Sequence, residues 1–499
     1  MQRLLNNIIV FLILFILWYS VHGKSQNKFP EQLKFGVATA SFQVEGGWNA
    51  SGKGENIWDR LMHKHPEYVV DHSNGDVTCD SYHLWRTDIE MLKDIGVHFY
   101  RFSLSWTRIL PTGFSNRINS DGVKYYNNII NSLLENGIEP LVTLYHWDLP
   151  QKLQELGGWT SVQTAEYFAD FARIAFRLFG DRVKRWITIN EPSSICLDSY
   201  DQQIAAPFID LPGIGCYLCG KTVLIAHSKA YHIYDREFRK KQKGKIGITI
   251  DSQWVEPKTN KTEDIEAAER YMQMVLGWWA HPIFSKEGDY PEIMRKRIDE
   301  RSALENFAES RLPHFTQTEI DNLKGSADFF GLNHYHTGLC SHVEFPISDS
   351  PAYFKDLGVK VVPDPNWKPN QNIVPWGFYK LLRWVAKEYN NPLVYVTENG
   401  YGDSGQEGLL DTDRIVFLKG FLKALLQAVQ EGCNVQKYTV WSLMDNLEWT
   451  QGYTVKFGLY KVDFNSPNRT RTPRASARLY KYVIKTGTIP NKTDFFLNN

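Results

Sequence analysis

Two glutamates more than two hundred positions apart each close an apolar, strand-like run. Glu191 ends Arg185-Trp-Ile-Thr-Ile-Asn-Glu-Pro192, and Glu398 ends Leu393-Val-Tyr-Val-Thr-Glu-Asn-Gly400. In both, β-branched and aromatic residues precede the carboxylate, and a Pro or Gly follows within two positions. Folding alone explains this poorly, because strands disfavour Glu and apolar strand ends rarely bury an unpaired charge. Taken singly, either residue could be a solvated loop carboxylate. Two of them converging on one point are the equipment for splitting a glycosidic bond, one carboxyl group working as acid and base and the other as nucleophile.

Elements of matching kind recur along the chain. Strand-like runs lie at Leu33–Ala40, His98–Trp106, Glu139–His146, Arg185–Glu191, Lys245–Ser252, Asp328–Tyr335, Leu393–Glu398 and Gln436–Met444. Helical spacing separates them. From Thr164 to Phe179, for example, Tyr167, Phe168, Phe171, Ile174, Ala175 and Leu178 fall on one face. Eight strand–helix units predict an α/β fold, a (β/α)8 TIM barrel. A solenoid would need a repeat of fixed length, and a doubly wound sheet of the dinucleotide-binding kind would carry G-x-G-x-x-G after its first strand; the chain shows neither. No linker divides residues 24–499, which read as one domain with long inserted loops, the longest irregular stretches being Ser199–Gly215 and Ser341–Asn372.

Barrel chemistry sits at the C-terminal ends of strands. Those ends carry Gln43 and Glu45, His146-Trp-Asp148, Asn190-Glu191, Asn333-His-Tyr335, Glu398-Asn399, and Trp441 with Glu448-Trp449. Amides, an imidazole, indoles and carboxylates are thereby placed around one ring. His63, His65 and His72 stand in a polar loop without acidic or cysteine grouping and read as surface residues. His334 and His336 bracket Tyr335, so an unbroken strand would point both away from its face. No metal site and no cofactor is expected.

Phe42-Gln-Val-Glu-Gly46, Tyr100-Arg-Phe-Ser103, His146-Trp-Asp148, Thr188-Ile-Asn-Glu-Pro192, Asn333-His-Tyr335, Val396-Thr-Glu-Asn-Gly400 and Trp441 with Glu448-Trp449 occur in that order. With them the chain resembles the retaining β-glucosidase family, glycoside hydrolase family 1, over residues 30–485, most like secreted insect members. The resemblance implies the barrel, a double-displacement mechanism and a glucose-like substrate. It implies Glu398 as nucleophile, supported by Arg101 and the Tyr335 hydroxyl, and Glu191 as general acid and then base. Asn190 would bind the sugar hydroxyl next to the reacting carbon. Gln43, His146 and Glu448 would take the remaining hydroxyls, Trp441 would stack on the ring, and Trp449 would lend its indole N–H. Trp147 and Asn333 would support the site without touching sugar.

Composition agrees with a globular enzyme handling sugars. Of 499 residues 43% are hydrophobic and 14% aromatic, and 56 basic residues balance 56 acidic ones, which argues against a nucleic-acid partner or a stable membrane association. The expected partner is a small-molecule glucoside, and a homodimer is left open. Residues 1–23 read as a secretory signal peptide, one cation followed by an apolar run from Ile8 to Tyr19 that is short for a span, so the protein is expected to be secreted and extracellular. Asn49, Asn260, Asn468 and Asn491 head glycosylation sequons. Six cysteines are too few for a disulfide scaffold; Cys216 and Cys219 could close a small loop, leaving the other four as buried thiols.

Departures from the family pattern carry information. A carboxylate at Glu448 would repel a phosphorylated sugar, and an acid retained at 191 sets the chain apart from plant-type thioglucosidases. The loop Ser193–Phe208 lacks the usual glycines and has no Lys or Arg. With Ile195, Leu197, Ile204 and Phe208 beside Asp198 and Asp201, it predicts a neutral, apolar departing group. Two alternatives remain: an insect-type thioglucosidase (myrosinase) using Lys221 or His336 to hold a sulfate, and a non-catalytic receptor-like relative, which the presence of both glutamates disfavours.

Overall fold

Eight parallel strands close into a barrel in the computed structural model, which describes residues 27–368, 370 and 372–492. The strands are β1 (Lys34–Ala38), β2 (Phe99–Ser103), β3 (Glu139–Tyr145), β4 (Arg185–Asn190), β5 (Lys245–Asp251), β6 (Phe330–Asn333), β7 (Val394–Asn399) and β8 (Val435–Trp441). Each pairs with its neighbours in sequence, and β8 pairs back onto β1. All eight expected runs are strands; six are trimmed at their ends, while β7 runs one residue past Glu398 and β8 starts one residue before Gln436. The expected signal peptide lies outside the described residues, among which no helix is long and apolar enough to cross a membrane.

Helices cover the outside: α1 (Ser81–Ile95), α2 (Ser120–Glu135), α3 (Thr164–Phe179), α4 (Gly215–Ile233), α5 (Pro375–Glu388), α6 (Thr412–Gln430) and α7 (Ala475–Thr486). The face read from α3 is buried at Phe168, Phe171, Ile174 and Ala175. Its buried side is wider than that stripe and includes Ala172 and Phe176, because α3 packs on α4 as well as on the barrel. The connection from β5 to β6 runs through four helices at Thr262–Met272, Trp278–Phe284, Glu292–Leu304 and Gln317–Leu323. The stretch expected to be irregular from Ser341 holds a helix (Tyr353–Leu357) and a strand (Val359–Val362). That strand joins Thr337–His342 and Trp254–Pro257 in a three-stranded sheet above the barrel.

Inside the barrel, side chains alternate in layers. Phe99, Leu141, Ile187, Phe329 and Tyr395 form an apolar cluster. Two residues further along β2, β3 and β7 come Arg101, Thr143 and Thr397, a polar layer on the same face. Beyond it the register shifts. The β4–β5 ladder slips between Ile187 and Asn190, and both ladders of β7 slip just before Glu398 or Asn399. Such irregularities break strict alternation and re-aim the side chains that follow. Here they immediately precede the two glutamates.

Candidate active site

Glu398 sits near the end of β7 and is buried. Its Oε1 is ion-paired with Arg101 Nη1, and its Oε2 accepts from the Tyr335 hydroxyl at 2.7 Å. Arg101 leaves β2 and reaches across the barrel, since β2 and β7 are not neighbours. Its other hydrogens go to Thr397 O at 2.9 Å, Thr143 Oγ1 at 3.2 Å and Asn190 Oδ1 at 2.6 Å. A guanidinium with all three nitrogens engaged holds both itself and its carboxylate in place.

Glu191 follows β4 with φ of 49°, a left-handed backbone that is uncommon outside glycine. Its N–H still bonds Thr249 O at 2.9 Å, so the ladder to β5 survives the bend. Asn333 Nδ2 donates to Glu191 Oε1 at 2.6 Å, while Asn333 Oδ1 accepts from Thr397 Oγ1 at 2.7 Å. Burial pushes the Glu191 carboxyl well above its ordinary pKa, and the nearby carboxylates of Asp251 and Glu398 add to the shift. The environments of the two glutamates therefore differ: one is held by a cation, the other is buried beside anions.

The amide of Asn190 links them. Its Oδ1 accepts from Arg101 and from Asn333, the latter at 3.2 Å, which fixes Nδ2 as the donor toward His146 Nε2 at 3.1 Å. That contact places the His146 proton on Nδ1. Burial and the Arg101 charge push this imidazole well below its usual pKa, so it is neutral at physiological pH. Trp147 supports the same residue, donating Nε1–H to Asn190 O at 3.0 Å.

On the opposite rim, Gln43 Nε2 donates to Asn446 Oδ1 (2.9 Å), Leu447 O (3.0 Å) and Glu448 Oε2 (3.1 Å). Its Oε1 is buried without a partner and is left as an acceptor. Burial, then the Glu398 charge, pushes the Glu448 carboxyl up to about 8. Trp441 forms a small apolar wall with Ala38, Ala40, Tyr335 and Phe457, and lies against His146 with centroids 5.8 Å apart. Trp449, also left-handed at φ 51°, packs between Trp58 and Trp147 at 4.8 and 4.5 Å. The expected site residues thus lie in one connected constellation at the C-terminal mouth of the barrel.

A cavity of about 410 Å³ opens beside Glu191, lined by Ser193, Leu197, Asp251, Val275, Tyr335 and His336 among others. Asp251, the last residue of β5, was not singled out from the sequence, although it is a carboxylate closing an apolar run, the same signal that marked Glu398. His336 lines this cavity together with Tyr335, contrary to the strand-alternation reading, because β6 ends at Asn333 and alternation ends with it. Of the apolar loop residues only Leu197 reaches the cavity. Ile195 is buried, Ile204 is 48% exposed, and Phe208 stacks on Tyr68 at 4.5 Å. Asp201 bonds the Gly213 amide instead of edging the cavity. Lys221 is also elsewhere, paired with Glu319 at 3.1 Å and donating to His314 O.

The disulfide differs from expectation. Cys196 pairs with Cys219, and Cys216 is a free buried thiol. Cys216 and Cys219 lie three apart on α4, whereas the turn after Glu191 brings the Cys196 Cα to 5.4 Å from that of Cys219, within bonding range. Cys216 Sγ instead contacts Asp201 Oδ1 at 3.3 Å. Cys79, Cys340 and Cys433 are buried free thiols, as read. His63 contacts Asp76, His65 contacts Glu67 and His72 contacts Pro66 O, all at the surface, and no group of metal-ligating side chains occurs among the described residues.

A barrel with opposed carboxyl groups at its mouth belongs to the glycoside-splitting hydrolases. The model of glycosyl hydrolase family 1 matches residues 25–488, and the chain belongs to that family. It is 50% identical over 467 residues to "Myrosinase 1" of Brevicoryne brassicae, covering 92% of this chain and 99% of that one. It is 43% identical over 461 residues to the human "Cytosolic beta-glucosidase", covering 92% and 98%. Among solved structures, "Aphid myrosinase" superposes with a TM-score of 0.88 at 49% identity, covering 92% of this chain and 100% of that one.

Proposed function

We propose that the protein is a secreted, retaining β-glucosidase. Glu398, held by Arg101 and Tyr335, attacks the anomeric carbon as nucleophile. Glu191, kept protonated by burial and neighbouring carboxylates, gives its proton to the departing oxygen and then takes one from water. Asn190, Gln43, His146 and Glu448 bind sugar hydroxyls, with His146 Nδ1–H as donor and Gln43 Oε1 as acceptor. Trp441 supplies the stacking face and Trp449 its indole N–H. Export is supported by the N-terminal segment, and the asparagines of all four sequons, Asn49, Asn260, Asn468 and Asn491, are exposed, as glycosylation requires.

The observation that carries the choice of substrate is the cavity beside Glu191. Among the described residues its lining includes no Lys or Arg, while it carries Asp251. A sulfated departing group is best held by Lys or Arg, and the cavity offers it neither. The thioglucosidase reading is favoured by the identity to "Myrosinase 1". Specificity constants for a phenolic β-glucoside and for an allyl or benzyl glucosinolate, measured on one preparation, separate the two. The phenolic glucoside is expected to be the better substrate, and a clear preference for the glucosinolate overturns the assignment.

Glu448→Ser is expected to raise KM and lower kcat/KM for both glucosides and galactosides. It deletes the acceptor for the outer sugar hydroxyls, and each buried hydroxyl left without a partner costs about 1–3 kcal/mol. An unchanged kcat/KM removes Glu448 from the sugar pocket.

A further inference from the structure

Asp251 is a half-buried carboxyl group that helps to keep Glu191 protonated but touches neither the sugar nor the reacting atoms in the hydrolytic steps. It closes β5 and faces the cavity into which the departing group must move once Glu191 has protonated it. Its Oδ1 is buried and has no hydrogen-bond partner. Two nearby donors bond elsewhere: Ser252 Oγ donates to Gln253 O at 2.9 Å, and Gln253 Nε2 donates to Tyr271 OH at 2.6 Å. A buried acceptor left open in this way is costly, and in native structures such an atom calls for a partner.

We propose that Asp251 is a specificity residue of this enzyme, accepting a hydrogen bond from a hydroxyl group on the departing aglycone, so that the cavity selects neutral, hydroxylated aglycones. The inference rests on the β-glucosidase reading above and adds the chemistry of the leaving side. The rest of the wall fits such a group. Leu197 and Val275 supply apolar contact, and Tyr271 and Tyr353 supply rings against which an aromatic or alicyclic body packs. Among the described residues the lining offers no Lys or Arg to an anionic group. Asp251 is raised to about 7, by burial first and by the Glu398 charge. A hydroxyl donor suits it in either protonation state, because one oxygen accepts in both.

The test compares hydroxymethylphenyl and ethylphenyl β-glucosides in their ortho, meta and para isomers. The two substituents have nearly the same size, and only one carries a donor. The quantity read is the ratio of kcat/KM within each pair on one enzyme, so any general loss of activity cancels. The wild-type ratio is expected to reach about tenfold for at least one isomer, as a hydrogen bond to a carboxyl group gives. In Asp251→Ala, and independently in Asp251→Leu should the smaller variant not fold, that ratio is expected to fall to parity. A wild-type ratio at parity for every isomer overturns the proposal without either variant, and so does a preference that persists when the carboxyl group is gone. Failure of the wild-type protein to cleave any of these glucosides is a different result: it removes the β-glucosidase reading itself and the inference with it.

Discussion

Glu398→Ala is expected to lose turnover of aryl β-glucosides by a factor on the order of 10⁴–10⁶, the scale seen when a catalytic nucleophile is deleted. Added azide should restore part of the rate and give an α-glucosyl azide. The missing carboxylate leaves room for a small anion on the face opposite the departing group, and attack there inverts the anomeric carbon. The surroundings favour this rescue: Arg101, bonded to Thr143, Thr397 and Asn190, stays in place when Glu398 is removed and offers the incoming anion a cation. Near-normal turnover of the purified variant removes Glu398 from the nucleophile's role.

Glu191→Ala is expected to split substrates by their leaving groups. General acid catalysis is worth about 10²–10⁴-fold where the departing oxygen needs a proton, and little where it leaves as a stable anion. Alkyl and unactivated phenyl glucosides should therefore lose nearly all turnover, and dinitrophenyl glucosides much less. The pH profile supplies an independent reading. The raised pKa of Glu191 keeps the acid protonated below that value, and activity is lost as pH rises through it. The alanine variant should lack this alkaline limb. Equal losses across the leaving-group series, or an alkaline limb unchanged in the variant, contradict the assignment.

Much of this was legible in the chain, and what was not has identifiable causes. The eight strands announce themselves because β-branched runs lie between amphipathic helices, and a carboxylate at such a run's end stands out against the preference of strands. The register shifts before Asn190 and Glu398 do not, because they depend on partners more than fifty residues away. The left-handed backbone at Glu191 is hidden too, since nothing in its residue type demands it. Linear proximity misled where helix geometry decides. Cys216 and Cys219 are close in sequence but share one helix, and the true partner of Cys219 is Cys196. Proximity to Glu191 likewise suggested a wall of Ile195, Ile204 and Phe208. The helix Thr262–Met272 and the turn that follows it, together with the helix Tyr353–Leu357 after β6, furnish much of the opposite wall instead, through Tyr271, Val275, Tyr353 and Leu357. Asp251 was readable by the rule that found Glu398, and only the cavity shows why it matters.

The central claim is double displacement at a β-glucoside, and the configuration of the first sugar released tests it most directly. Proton NMR of the anomeric region, recorded from the first seconds of hydrolysis and before mutarotation, distinguishes the outcomes. Two successive inversions, through Glu398 and then water activated by Glu191, predict that β-glucose forms first and the α anomer grows in later at the spontaneous rate. Initial release of α-glucose would mean a single displacement by water, with no covalent bond to Glu398, and would contradict the account.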